Sequence, residues 1–312
     1  MNASAAPTIQ VRGLTKRFGA VHAVRGIDFA VSAGEIFGLV GPDGAGKTTT
    51  MRMLAGVLRP DAGTLTIDGV DVARDPERAK LHLSYMPQRF GLYEDLTVGE
   101  NVFFYAELFA VPRRERIARS AELLHAAGLE GFERRLAGQL SGGMKQKLGL
   151  VCALIHTPRV LLLDEPTTGV DPVSRRDFWA ILYKLRESGV SIVMATAYMD
   201  EAERCSRLAL FHAGEVRHCD TPARLKASMP GALLAVLAAQ PRAAHRAIAA
   251  SPGVLGALLM GDRVHVRVDD AARRTPQLEA ALRTAGVADA RIEPTPPGIE
   301  DVFVALLGAS PA

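Results

Sequence analysis

Apolar and polar residues alternate along Ile9–Leu14 and again along Val21–Phe29, with Gly19 between the two runs. A period of two on either side of a glycine predicts an antiparallel β hairpin. Glu35–Val40 is a short apolar run that reads as a strand; it enters Gly41-Pro42-Asp43-Gly44-Ala45-Gly46-Lys47-Thr48, after which Thr49–Val57 turns helical. Leu65–Ile67 and Leu83–Met86 read as further strands. The spacing then predicts helices over Val98–Phe109, Arg113–Ala127 and Gly143–Ile155, the second stopped by Gly128, so that residues 89–158 form a helical insert. Val160–Leu163 is wholly apolar and bounded by charge, as in a parallel strand buried on both faces, and Val190–Thr196 repeats that pattern after a helix over Pro172–Glu187. This alternation of strand and helix predicts an α/β fold, a mostly parallel sheet covered by helices. Leu208–Phe211 and Glu215–Cys219 read as a hairpin around Ala213-Gly214.

From Thr221 onward the chain becomes rich in Ala and Arg. The pattern there is a strand (Leu233–Ala238), a helix (Arg242–Ala250), the alternating Val264-His265-Val266-Arg267-Val268, a helix (Gln277–Ala285) and a last strand and helix. Two domains are therefore expected, 1–220 and a small α+β domain over 221–312. With 312 residues, 48% hydrophobic and 23% charged, the chain has room for a large core and lacks the composition of a disordered or collagen-like protein. Lys+Arg 37 against Asp+Glu 34 leaves +3, too small a surplus to call for a nucleic-acid partner. Cys152, Cys205 and Cys219 form no CxxC, so neither a zinc site nor a disulfide framework is expected, and a reducing compartment fits. Met1–Pro7 lacks the basic-then-apolar pattern of a signal peptide, and the longest apolar runs, such as Gly231–Ala239, are half the roughly 20 residues of a membrane helix.

Three segments carry chemistry. Gly41–Thr48 matches G-x-x-x-x-G-K-[ST]: glycines let successive N–H groups converge on phosphate oxygens, Lys47 reaches the β and γ phosphates, and the Thr48 hydroxyl can ligate Mg²⁺. A glycine turn that merely opens a helix is the plainer alternative, and the strand before and helix after count against it. Val160–Leu163 runs into Asp164-Glu165-Pro166, two adjacent carboxylates at a strand end. Asp164 is placed to hold the shell of Mg²⁺, and Glu165 to accept a proton from, or orient, an attacking water. An acidic strand cap is the alternative. Leu140-Ser141-Gly142-Gly143-Met144 puts a hydroxyl and two glycines at a helix start, a second anion site, against the alternative of an ordinary capped helix with Lys145 and Lys147 in solvent.

Together these residues resemble the ATP-binding subunits of ABC transporters over about residues 8 to 220: a P-loop NTPase with an amino-terminal β subdomain and a helical insert. Gly41, Pro42, Asp43, Gly44, Ala45, Gly46, Lys47 and Thr48, with Thr49 beside them, are similar to Walker A; Leu140–Met144 to the LSGGQ signature; Val160–Glu165 to Walker B. The resemblance implies ATP and Mg²⁺ as cofactors. It places Gln88 on the Q-loop glutamine that contacts the metal and the attacking water, Asp171 on the D-loop, and Phe18 on the aromatic that stacks on adenine, where a core aromatic is the plain alternative. It also implies a head-to-tail dimer with a second ATP-binding subunit, in which Ser141, Gly142 and Gly143 complete the partner's site. Separate membrane permease subunits would dock at Gln88–Tyr93, placing the chain in the cytoplasm, peripheral on the inner face of the cell membrane. Leu92–Val98 and the tail Gly298–Phe303 resemble exporters of the ABC-2 type, including drug exporters.

One position departs from the family pattern. In Ala195-Thr196-Ala197-Tyr198-Met199-Asp200-Glu201, Ala197 stands where the family carries the histidine that meets the γ-phosphate. Tyr198, the next residue into a helix, points about 100° away. Losing one preorganised donor to developing charge costs roughly 3 kcal/mol, about a hundredfold in rate. The expected function is an ATPase that powers export. The alternatives are a hydrolysis-impaired subunit paired with a competent one, or a non-transport ABC ATPase; the stretch from Gln88 to Ser141, short and without heptads or cysteines, fits the last of these poorly.

Overall fold

The structure, a computed structural model, describes residues 6–89 and 91–307. Met1–Ala5 of the amino-terminal segment and Phe90 of the expected docking segment lie outside the described residues. The chain divides into two compact units, Met1–Cys219 and Asp220–Ala312.

The first unit begins with the hairpin, β1 (Ile9–Phe18) and β2 (Val21–Val31), paired antiparallel with Phe18 opposite Val21 at the turn. The buried face of β1 carries Ile9, Val11 and Leu14, the period-two set of the sequence. β3 (Ile36–Val40) leads through the glycine loop into α1 (Lys47–Leu54). β4 (Ala62–Ile67) and β5 (Val70–Asp71) complete an outer sheet of order β2-β1-β4-β5, and α2 (Pro76–Lys80) precedes β6 (Leu83–Met86). The insert packs α3 (Val98–Leu108), α4 (Arg113–Ala126) and α5 (Gly142–Leu154) around Val102, Leu124, Leu148 and Val151. A capping box sets the start of α3: Thr97 Oγ1 accepts from the Glu100 amide (3.2 Å) and Glu100 Oε2 from the Thr97 amide (2.8 Å). Then follow β7 (Val160–Asp164), α6 (Pro172–Glu187), β8 (Ser191–Thr196), the one-turn α7 (Met199–Ala202), β9 (Arg207–His212) and β10 (Glu215–Asp220).

The central sheet has the order β10-β9-β3-β8-β7-β6, and β9, β3, β8, β7 and β6 run parallel. Every residue of β3, β7 and β8 is buried, as expected of strands covered on both faces. α1 lies in one core with both sheets: Met51 and Leu54 pack among Ile9 and Val24 of the outer sheet and Leu39, Leu162 and Val193 of the central one. The register aligns Val40 with Thr196, Asp164 with Ala195 and Met86 with Leu163, so the segments after β3, β6, β7 and β8 all leave at one edge, the carboxyl edge where α/β sheets bind ligands.

The second unit opens with α8 (Pro222–Ala227). It contains β11 (Ala232–Leu237), α9 (Pro241–Ile248), β12 (Val254–Met260), β13 (Arg263–Val268), α10 (Ala271–Thr284), β14 (Arg291–Pro294) and α11 (Ile299–Leu307). The β-α-β-β-α-β path with strand order β12-β13-β11-β14 is a ferredoxin-like split βαβ. Two features correct the pattern reading. Val254–Met260 is an edge strand, apolar at every position yet nowhere buried, so its hydropathy marks neither a core face nor a solvent face. α10 starts six residues before Gln277: Asp270 caps it by accepting from the Arg273 amide (2.8 Å), and Pro276 is carried in its second turn.

Candidate functional site

The loop from Gly41 to Gly46 threads a narrow passage. Gly46 adopts φ 103°, and a Cβ there would lie 2.5 Å from the Ala23 carbonyl oxygen, so only glycine fits. The first turn of α1 has no side-chain cap, which leaves its N–H groups bare toward the loop. Lys47 is buried, and its ammonium donates to the carbonyls of Gly41 (2.7 Å) and Pro42 (3.0 Å), with Glu165 Oε1 at 3.9 Å. Burial pushes its pKa down, against the pull of Glu165, Asp43 and Asp164. A buried ammonium held mainly by neutral carbonyls beside bare N–H groups is suited to a multiply charged phosphate.

Asp164, at the end of β7, is 1% exposed. Thr48 Oγ1 donates to its Oδ1 (3.1 Å) and the Tyr85 hydroxyl to its Oδ2 (3.2 Å). Desolvation pushes the Asp164 carboxyl up despite these bonds, and burial followed by the Asp164 charge pushes the Tyr85 hydroxyl up. Among the described residues no cluster of three or more His, Cys, Asp or Glu could hold a metal. One carboxylate beside one hydroxyl suits Mg²⁺, which takes one or two protein oxygens and the rest from phosphate and water. Glu165 follows at φ 50°, a left-handed conformation costly for a residue with a Cβ. Its Oε2 accepts from Gln88 Nε2 at 2.9 Å, which brings Glu165 and Gln88 together from β7 and β6.

A cleft of about 420 Å³ runs along this edge, lined by Phe18, Asp43, Gly44, Ala45, Gly46, Lys47, Thr48, Thr49 and Glu165. The Phe18 ring is 50% exposed, not a core aromatic, and Lys16 Nζ lies 5.7 Å from its centroid. Gly41 and Pro42 contribute carbonyls to Lys47 and are not among the lining residues. Val21, His22, Ala23, Arg25 and Ala213 also line the cleft and were not singled out by sequence. Their signal lay in the register, since Val21 and His22 face Phe18 and Arg17 across the hairpin. Tyr85 was also missed; the only hint was its place on the strand that ends at Pro87-Gln88.

Ser141, Gly142, Gly143 and Asp171 are not among the described residues lining the cleft. They sit together where α5 and α6 begin. Ser141 Oγ accepts from the Met144 amide (3.3 Å), and Asp171 accepts from the amides of Val173 (3.0 Å) and Ser174 (2.9 Å); the Ser174 hydroxyl first, and then these amides, hold its carboxyl below the usual range. A Cβ on Gly143 would collide with the Ser174 side chain, while Gly142 faces open space. Ala197 is exposed and offers only a methyl group. The Tyr198 amide donates to Thr196 Oγ1 (3.0 Å), and its ring lies 4.5 Å under the Arg175 guanidinium.

Residues 24–168 match the ABC transporter family. The ABC transporter ATP-binding protein YbhF of Escherichia coli is 43% identical over 97% of this chain; the chain spans about half (52%) of that relative's length. The daunorubicin resistance ATP-binding protein DrrA2 of Streptomyces coeruleorubidus is 34% identical over 96% of this chain and 95% of its own. Among solved structures, the dimeric bacterial ABC transporter cassette MJ0796 superposes with a TM-score of 0.63 at 27% identity, covering 68% of this chain and 98% of the cassette. No helix among the described residues is long and apolar enough to cross a membrane.

Proposed function

The chain belongs to the ABC transporter ATP-binding family, and from that premise we propose that it binds and hydrolyses Mg-ATP to power export through separate membrane permease subunits. The observation that carries this reading is the pair of contacts Thr48–Asp164 (3.1 Å) and Gln88–Glu165 (2.9 Å), which gather the loop, the strand-end carboxylates and the β6 exit at one edge. Lys47 and the loop N–H groups bind the β and γ phosphates. Thr48, Asp164 and Gln88 hold Mg²⁺, which when bound supplies charge neutralisation at the phosphates. Glu165 accepts a proton from, or orients, the attacking water, and Gln88 fixes the Glu165 carboxylate. Phe18, exposed at the cleft wall, stacks on adenine. Ser141, Gly142, Gly143 and Asp171, gathered away from the cleft, complete the site of a second ATP-binding subunit. Residues 1–220 act as the nucleotide domain, at the cytoplasmic face of the membrane, with residues 221–312 as its accessory. The drug-resistance name of one relative supports export.

A second reading follows from the exposed methyl group at Ala197. A site without that donor hydrolyses slowly, and pairing with a more competent ATPase suits it better than a homodimer of two slow sites.

Purification of the full chain from membranes tests the first reading. An integral membrane permease is expected to co-purify, with Mg-ATP turnover that Lys47→Ala removes together with Mg-ATP affinity. Failure of any integral membrane protein to co-purify rejects the transport role, and unchanged affinity in Lys47→Ala rejects the phosphate site.

A further inference from the structure

Glu201 is fully buried, yet among the described residues its carboxylate has no ion pair. Three neutral donors hold it. Thr196 Oγ1 donates to Oε2 at 2.7 Å, Trp179 Nε1 to Oε1 at 3.3 Å, and Thr167 Oγ1 makes a short bond to Oε1. A carboxylate at 0% exposure is costly to bury unless its hydrogen bonds are complete, so this geometry is maintained against a large desolvation penalty.

The donors come from the segments that carry the hydrolytic chemistry. Thr167 lies two residues beyond Glu165, in the turn where the Thr168 amide bonds the Glu165 carbonyl (3.3 Å). Thr196 ends β8, one residue before Ala197, and its oxygen also accepts from the Tyr198 amide (3.0 Å), so a single hydroxyl ties Glu201 to the backbone on both sides of Ala197. β7 and β8 are neighbours in the sheet, and the Glu165 amide donates to the Ala195 carbonyl (2.9 Å), but beyond that bond the ladder ends. Past the ladder, the Glu201 carboxylate bridges the two exit segments, one oxygen to each. Trp179 of α6 fixes it from the side.

We propose that Glu201 is a positioning residue for hydrolysis: its buried carboxylate clamps the exit of β7 to the exit of β8, so that Glu165 and the backbone around Ala197 keep a fixed relative placement. The inference rests on the reading of Glu165 as the residue that acts on water. In a chain with no histidine at 197, that placement depends more heavily on backbone, and the clamp is the only side-chain link between the two exits among the described hydrogen bonds.

The test compares the full-length wild-type chain with Glu201→Ala and Glu201→Gln, measuring Mg-ATP affinity by calorimetry and single-turnover hydrolysis with the chain in excess. Glu201→Ala is expected to slow hydrolysis at least tenfold while Mg-ATP affinity stays within threefold; Glu201→Gln, which keeps one carbonyl acceptor and can donate to a rotated hydroxyl, is expected to restore most of the rate. If Glu201→Ala does not fold, Thr196→Val and Thr167→Val each remove one arm of the clamp and are expected to show the same split between rate and affinity. Rate and affinity falling in parallel, or a rate unchanged in all variants, overturns the proposal and leaves Glu201 a packing residue. A wild-type chain that binds Mg-ATP without any turnover instead rejects the hydrolytic reading of Glu165, and the clamp's role with it.

Discussion

At the residue scale, Ala197 is exposed and offers only a methyl group. Thr196 Oγ1 accepts from the Tyr198 amide and donates to Glu201, the Tyr198 ring lies against Arg175, and neither 197 nor 198 is among the described residues lining the cleft. A preorganised donor to developing negative charge is worth about 3 kcal/mol, near a hundredfold. Ala197→His is therefore expected to raise single-turnover hydrolysis at least tenfold, and an equal rate would mean that Gln88, Glu165 and Mg²⁺ suffice. A second residue-scale prediction concerns Asp269, which Arg274 grips through Nε (2.7 Å) and Nη2 (2.6 Å). The guanidinium holds the Asp269 carboxyl down at about 2, from an ordinary 3.8. The folded value lies below the unfolded one, so the stabilisation is complete above the ordinary value and is lost as the pH falls through about 2. Asp269→Asn is expected to lower the urea midpoint of the second unit at pH 7, with the difference from wild type shrinking steadily below pH 4.

At the scale of elements, the starts of α5 and α6 are held together by the absence of a side chain. Gly143 sits where any Cβ would strike Ser174, and the Ser174 amide is one of the two that Asp171 caps. Gly143→Ala forces the two helix starts apart, an overpacking that costs about 1–3 kcal/mol. The denaturation midpoint is expected to fall accordingly, while Mg-ATP affinity stays within twofold because the cleft contains none of these residues. An unchanged midpoint would show that the helix starts yield freely. The position of α5 was legible in advance, since Ser141 is a good N-cap and the glycines follow it; the contact with Ser174 was not, because it joins helices 31 positions apart in the chain.

For the whole molecule, the division at Cys219/Asp220 separates cores of different composition. One is built from two sheets around α1, the other from Leu234, Val264, Val266 and Leu278 of the split βαβ unit. All described residues lining the cleft belong to the first unit. A chain ending at Cys219 is therefore expected to keep Mg-ATP affinity within threefold by calorimetry, and a larger loss would show that the second unit shapes the site.

The glycine loop, the strand-end carboxylates and the alternation of strand and helix were legible in sequence, because each is local: a glycine at a fixed offset, a charge ending an apolar run, a period that switches between 2 and 3.6; the order of strands in the sheet was not. Val254–Met260 escaped because an edge strand that is apolar yet nowhere buried carries neither alternation nor the charged bounds of a core strand. Tertiary structure decided what depends on residues distant in the chain. Tyr85 meets Asp164, and Glu201 joins Thr167 to Thr196, only because parallel pairing of β6, β7 and β8 in register brings their carboxyl ends side by side. A buried carboxylate looks in sequence like any surface glutamate on a polar turn. Its burial, and the donors that make burial tolerable, exist only once the sheet has assembled around it.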